Sequence, residues 1–90
     1  MKFVWDERKN QSNIKKHGVS FDEAKEVFDG LPVVYFDVEG PLGEDRYVAI
    51  GFLGSRLLAV VFVNREADTT RIISVRKASK SEEKRYGRGY

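Results

Sequence analysis

Arg76 and Lys77 stand at the end of an alternating apolar and basic run, and Lys80, Lys84, Arg85 and Arg88 follow closely, bracketing Tyr86. Guanidinium groups grip phosphate as a two-pronged fork, ammonium groups hold it as point charges, and an aromatic ring stacks on an exposed base. That mixture suits single-stranded nucleic acid, and RNA in particular. Taken one at a time these residues have plainer readings. Arg65, Arg76 or Lys77 can pair with Glu66, Asp68, Glu82 or Glu83, and Tyr86 can pack a helix onto a sheet. His17 is the one side chain whose ordinary pKa suits proton transfer near neutrality. It also sits just before Gly18, at a predicted helix C-terminus where an imidazolium satisfies the dipole and the free carbonyls. The structural role has the stronger claim on it.

What is absent narrows the chemistry. The chain has no cysteine and a single histidine, which excludes thiolate catalysis, disulfides, Cys-based zinc sites and a histidine cluster. No Ser-His-Asp set with workable spacing, no phosphate-binding Walker loop, no GxGxxG and no EF-hand spacing occurs. A hydrolase built on a metal or a nucleophilic triad is therefore not expected, and neither a metal nor a cofactor is called for. Metal-free cleavage of RNA remains open, because there the substrate's own 2′-OH is the nucleophile. The protein need supply only position, positive charge and weak acid/base groups.

The net charge of +2 conceals a division along the chain. Residues 1–70 hold nine Lys/Arg against twelve Asp/Glu, whereas residues 71–90 hold seven against two. Such asymmetry fits a polyanionic partner for the basic end, or simply a solvated terminal helix. Ninety residues, 41% hydrophobic and 33% charged, describe one globular domain over 1–90. The longest apolar run, Leu57 to Val63, is far below the roughly 20 residues that span a bilayer. With no apolar leader at the N-terminus, a cytoplasmic location without membrane contact is the expectation.

These residues need a scaffold, and the pattern supplies one. Lys2 to Trp5 reads as a strand, and Asp6 caps a polar helix over Glu7–His17 that ends at Gly18. On that helix Asn10, Asn13, Ile14 and His17 share a face. Ser20-Phe21-Asp22-Glu23 is a capping box opening a second helix with the stripe Phe21, Ala24, Val27 and Phe28. Val33–Phe36 is a strand, followed by an acidic loop to Asp45. Arg46–Leu53 and Arg56–Asn64 flank Gly54-Ser55 as a hairpin, and Thr69–Lys77 is the last strand. Alternation puts Arg71, Ile73, Val75 and Lys77 on one of its faces, Ile72, Ser74 and Arg76 on the other. Leu57–Val63, apolar throughout, implies a strand covered on both faces. A second capping box, Ser79 to Glu82, opens a terminal helix that reaches at least Tyr86, with a flexible tail from about residue 87. The expected class is α+β, ordered β-α-α-β-β-β-β-α.

Two stretches at opposite ends carry a family likeness. Phe3-Val-Trp-Asp-Glu-Arg-Lys9 and Asn13-Ile-Lys-Lys-His-Gly-Val-Ser-Phe-Asp-Glu-Ala24 closely resemble the opening of the BrnT toxins, F-x-W-D-x-x-K and N-x-x-K-H-G-V-S-F-x-E-A. Arg71-Ile-Ile-Ser-Val-Arg-Lys-Ala78 resembles that family's R-I-I-S-x-R-x-A. The resemblance implies a RelE-like fold and a type II toxin–antitoxin ribonuclease that inhibits growth by cleaving RNA and blocking translation. It implies a BrnA-like ribbon-helix-helix antitoxin, through which the pair binds operator DNA and represses its own operon. Carried onto this chain, the pattern points to Arg65, Arg76, Tyr86 and Glu66 as catalytic. Lys77, Lys80, Lys84 and Arg85 are the implied RNA-binding residues, and His17 is held in reserve. A terminal histidine found in many RelE-like enzymes is missing here, which leaves the general acid unassigned. The competing reading is a non-catalytic module of the same fold that binds nucleic acid or antitoxin.

Overall fold

Each helix in the computed structural model, which describes residues 1–89, starts where a side chain can cap it. The order is β1 (Lys2–Val4), α1 (Glu7–His17), α2 (Phe21–Asp29), β2 (Val33–Val38), a 3₁₀ turn (Pro41–Gly43), β3 (Arg46–Leu53), β4 (Arg56–Arg65), β5 (Thr69–Lys77) and α3 (Lys80–Arg88). The Asp6 carboxylate accepts from the amides of Arg8 and Lys9, and both Ser-x-x-Glu sequences form reciprocal capping boxes. Gly18 closes α1 in the left-handed conformation, at φ 72°. Helix α3 continues to Arg88 with Gly89 as its cap, two residues into the segment expected to be a flexible tail. Strand β2 likewise runs to Val38, past its expected end at Phe36.

The five strands lie in the order β1-β5-β4-β3-β2, antiparallel except for the parallel pair β1–β5. Central β4 is buried from Leu58 to Val63, as its unbroken apolar run requires. Helices α1 and α2 cover one face, where Phe21, Val27, Leu58, Val60, Ile72 and Val75 form the main core. On the other face Val48, Ile50, Ala59, Val61 and Ala78 make a smaller core beneath α3. An aromatic row crosses the first face from Phe3 through Phe28, Phe62 and Tyr47 to Phe36, with neighbouring centroids 5.2–5.9 Å apart.

The alternation expected for β5 fails at one point. Val61 pairs with Ser74 and Phe62 with Ile72, so Ile73 is an extra residue, a β-bulge. The bulge returns Arg71 and Ile73 to the face that carries Ser74 and Arg76, and leaves Ile72 and Val75 together in the main core. Strict period two had grouped Arg71 and Ile73 with Val75. The bulge corrects that and brings Arg71 and Arg76 onto one side.

The polarity of α1 also has a structural cause. Beyond Arg71 the outer edge of β5 has no strand beside it, because β1 pairs only with Thr69 to Arg71. Helix α1 packs there and supplies amides instead of apolar side chains. Asn13 accepts from the Val75 amide at 3.1 Å and donates to the Val19 carbonyl at 3.1 Å. Asn10 accepts from the Phe21 amide at 2.9 Å, satisfying a free N–H of the first turn of α2. Both asparagines are buried, whereas Ile14 on the same predicted face is half-exposed. Asn13→Ala strands a buried donor site and a buried acceptor site, and is expected to lower stability by about 2 kcal/mol. Urea unfolding checks this, with Asn13→Asp also destabilised because it loses the bond to Val19.

Candidate nucleic-acid interface

One carboxylate ties the start of helix α3 to the sheet. As the N3 residue of its capping box, Glu82 points back at the helix start and accepts from the Ser79 amide at 2.8 Å. The same group receives the Arg76 guanidinium as a fork, Nη1 to Oε1 at 2.6 Å and Nη2 to Oε2 at 3.0 Å. Tyr35, on β2, donates its hydroxyl to Oε2 at 2.6 Å. Three elements therefore converge on one buried side chain. Burial alone would raise the Glu82 pKa, but the hydrogen bonds from Arg76, Ser79 and Tyr35 outweigh it and hold the carboxyl down at about 2. Burial and the bond to Glu82 push the Tyr35 hydroxyl up. Two further contacts complete the clamp. The Arg85 guanidinium lies 4.4 Å over the Tyr35 ring, and Tyr86 meets Phe52 edge-on at 5.4 Å.

Register places the arginines. Arg76 pairs with Ala59 and Arg71 with Val63; Arg46 pairs with Val63 from the other side, and Arg65 lies two residues further along β4. All four thus share the α3-side face of the sheet, and Arg85 joins them from α3. Two of the five have carboxylate partners, Arg76 with Glu82 and Arg65 with Glu44 at 3.0 Å. Arg46 and Arg71 have no ion pair among the described residues. They line a cavity of about 340 Å³ with Arg65, Ile73, Gly40 and Glu44. Gly40 is required in its wall, since a Cβ there would lie 1.9 Å from the Glu44 carbonyl oxygen.

The expected site residues divide between the two ends of this face. Arg76, Lys80, Lys84, Arg85 and Tyr86 gather at the α3 end. Lys77 pairs with Leu58 and so belongs by register to the other face, but from the strand end it lines a 610 Å³ groove with Tyr86, Phe52 and Arg56. Arg65 and Glu66 lie at the opposite end of the β4–β5 hairpin. Six residues of β4 separate Arg65 from the partner of Arg76, roughly 20 Å at the strand rise, so the two arginines cannot touch one phosphate. Glu66 faces a different cavity, together with Asn64, Thr69 and Leu42. His17 lines a shallow hollow with Lys9, Lys16, Ile73 and Ser74, beside the β5 bulge. Sequence reasoning missed Tyr35, Arg46 and Arg71. It saw Glu82 as a helix cap and a possible ion-pair partner, not as the hub.

Chemically, the face offers fixed positive charge. Glu82 is an unsuitable general base, because its oxygens are engaged and its pKa is near 2. Tyr35 is an equally poor acid at neutral pH, its hydroxyl held above its ordinary pKa. What remains is preorganised guanidinium groups able to stabilise a phosphate as its charge grows. Among the described residues no three His, Cys, Asp or Glu side chains are grouped to hold a metal ion, and no helix is long and apolar enough to cross a membrane.

Residues 5–82 match the family described as "Ribonuclease toxin, BrnT, of type II toxin-antitoxin system". The 1.1 Å crystal structure of the Brucella abortus ribonuclease toxin BrnT superposes with a TM-score of 0.67 and 35% sequence identity, over 89% of this chain and 99% of that one. No curated protein gives a significant match. Most of the chain, including all three helix N-caps and the Arg76–Glu82 pair, falls within the matched span, and the chain belongs to the BrnT family of ribonuclease toxins of type II toxin–antitoxin systems.

Proposed function

We propose that this toxin is a metal-independent endoribonuclease that holds RNA across the α3-side face of its sheet. The observation that carries the reading is the set of five arginines, 46, 65, 71, 76 and 85, on that face. Attack of the 2′-OH on the adjacent phosphorus, its proton passing to solvent water, forms the 2′,3′-cyclic phosphate and breaks the bond to the next nucleotide's 5′-oxygen, which takes up a proton and leaves as a 5′-OH. Arg76, held by Glu82, stabilises the charge developing on the phosphate. Arg71 and Arg46 guide the backbone toward Arg65, while Tyr86 and Phe52 offer rings to an exposed base. Lys77, Lys80, Lys84 and Arg85 add phosphate contacts; His17, beside the bulge, is the reserve proton donor. In the cell, RNA cleavage in the cytoplasm arrests translation and growth. A BrnA-like antitoxin with a ribbon-helix-helix domain neutralises the toxin, and the pair represses its own operon. The fold acts in the RelE-like manner.

Incubating the purified chain with RNA in EDTA tests this. Fragments ending in cyclic phosphate are expected. Intact RNA at concentrations where the protein binds it would favour the non-catalytic binding module, a reading supported by the occupied Arg76 fork. Arg46→Ala/Arg71→Ala is expected to leave the fold intact and to weaken RNA binding. Each lost contact should reduce the salt dependence of log K by about one, measured by titration across salt concentrations.

A further inference from the structure

The opposite edge of the molecule has the reverse character. Strand β2 is the last of the sheet, bonded to β3 on one side only, and among the described residues no other backbone hydrogen bond reaches Val33–Val38. Natural edge strands are usually blunted by lysine, proline or an inward charge. Pro32 precedes this one and a bulge falls at Asp37, yet the strand between them carries no lysine, and Val34, Phe36 and Val38 are each about half exposed, with Leu31 at 93% before Pro32. Phe36 ends the aromatic row that crosses the main core, so the apolar surface is continuous with the interior. From Glu26 to Asp45 the chain holds six carboxylates and no Lys, Arg or His. Such a rim repels RNA and anionic membrane surfaces and attracts cations.

We infer that the β2 edge is the docking site for an extended, basic and apolar segment of the antitoxin, which adds a sixth strand to the sheet. Backbone bonds to the free edge would give affinity. Apolar side chains would settle on Val34 and Phe36, and Lys or Arg between them would meet Asp37 and Glu39. The inference rests on the antitoxin partnership of the family and does not depend on where RNA binds. Its edge lies across β3 and β4 from β5, the strand that carries Arg71 and Arg76, so the toxin's neutralising partner would be anchored away from those arginines.

The test uses the full toxin chain and the purified full-length protein encoded by the adjoining reading frame. Val34→Thr/Phe36→Thr is expected to weaken binding about tenfold or more by calorimetry, the effect of losing an apolar hot spot. Asp37→Lys/Glu39→Lys should weaken it as well and flatten its salt dependence. Both variants should cleave RNA at the wild-type rate yet escape neutralisation, which separates a lost contact from a lost fold. Unchanged affinity in both would overturn the inference. So would a free-toxin dimer in sedimentation that Val34→Thr/Phe36→Thr dissolves while antitoxin affinity holds, since the edge would then belong to a second copy. Failure of the wild-type chain to bind would remove the partner, and the docking site with it.

Discussion

Glu82→Ala is expected to lower stability at pH 7 by about 2–3 kcal/mol, because it leaves a guanidinium and a tyrosine hydroxyl without their shared acceptor. The loss falls at or below the lower end of the range for fully buried pairs, since Arg76 keeps 37% of its side-chain surface in water while Glu82 keeps 4%. The loss is pH-dependent, and its sign follows from the depressed pKa. A carboxyl near 4.5 when unfolded and about 2 when folded stabilises the native state fully above pH 4.5. That stabilisation drains away as the pH falls toward 2. The gap between wild type and Glu82→Ala in urea unfolding should therefore be widest at neutral pH and close through that window. A gap that stays constant down to pH 2 would mean that the carboxylate is not the charged hub.

Arg76 carries the larger effect on activity. One preorganised donor to a developing oxyanion contributes on the order of 10²–10³ in rate, and Arg76→Ala is expected to lose that much or more. Arg76→Lys should recover little. An ammonium keeps the charge but cannot span both Glu82 oxygens while presenting a further N–H to phosphate. The simple alanine variant also unbalances Glu82, so lost activity alone would confound chemistry with folding. Replacing both partners by residues of similar volume removes the unpaired charge, leaving the Tyr35 hydroxyl and the Ser79 amide as the groups that lose an acceptor.

Much of the scaffold was legible in the sequence because it rests on local rules. The two Ser-x-x-Glu boxes, Gly18 and the hairpin at Gly54-Ser55 each act within a few residues, and all lie where the pattern put them. The apolar run of β4 announced its burial on both faces. The bulge at Ile73 was not legible, since only pairing with β4 shows which residue is the extra one. That single insertion decides whether Arg71 shares a face with Arg76. The role of Asn13 was hidden for a similar reason: its partner, the Val75 amide, is sixty-two residues away. Tyr35 lay in a strand recognisable only as a strand, while its hydroxyl meets a helix forty-seven residues later. Family likeness proposed Arg65 and Arg76 as members of one site, but strand length separates them along the face.

The most direct measurement is RNA cleavage in EDTA by Arg76→Met/Glu82→Met beside wild type, with urea unfolding of both. A cooperatively folded double variant, at least as stable as Glu82→Ala, with cleavage reduced at least a hundredfold is the expected result. A folded double variant that cleaves at the wild-type rate would contradict the placement of Arg76 at the reacting phosphate.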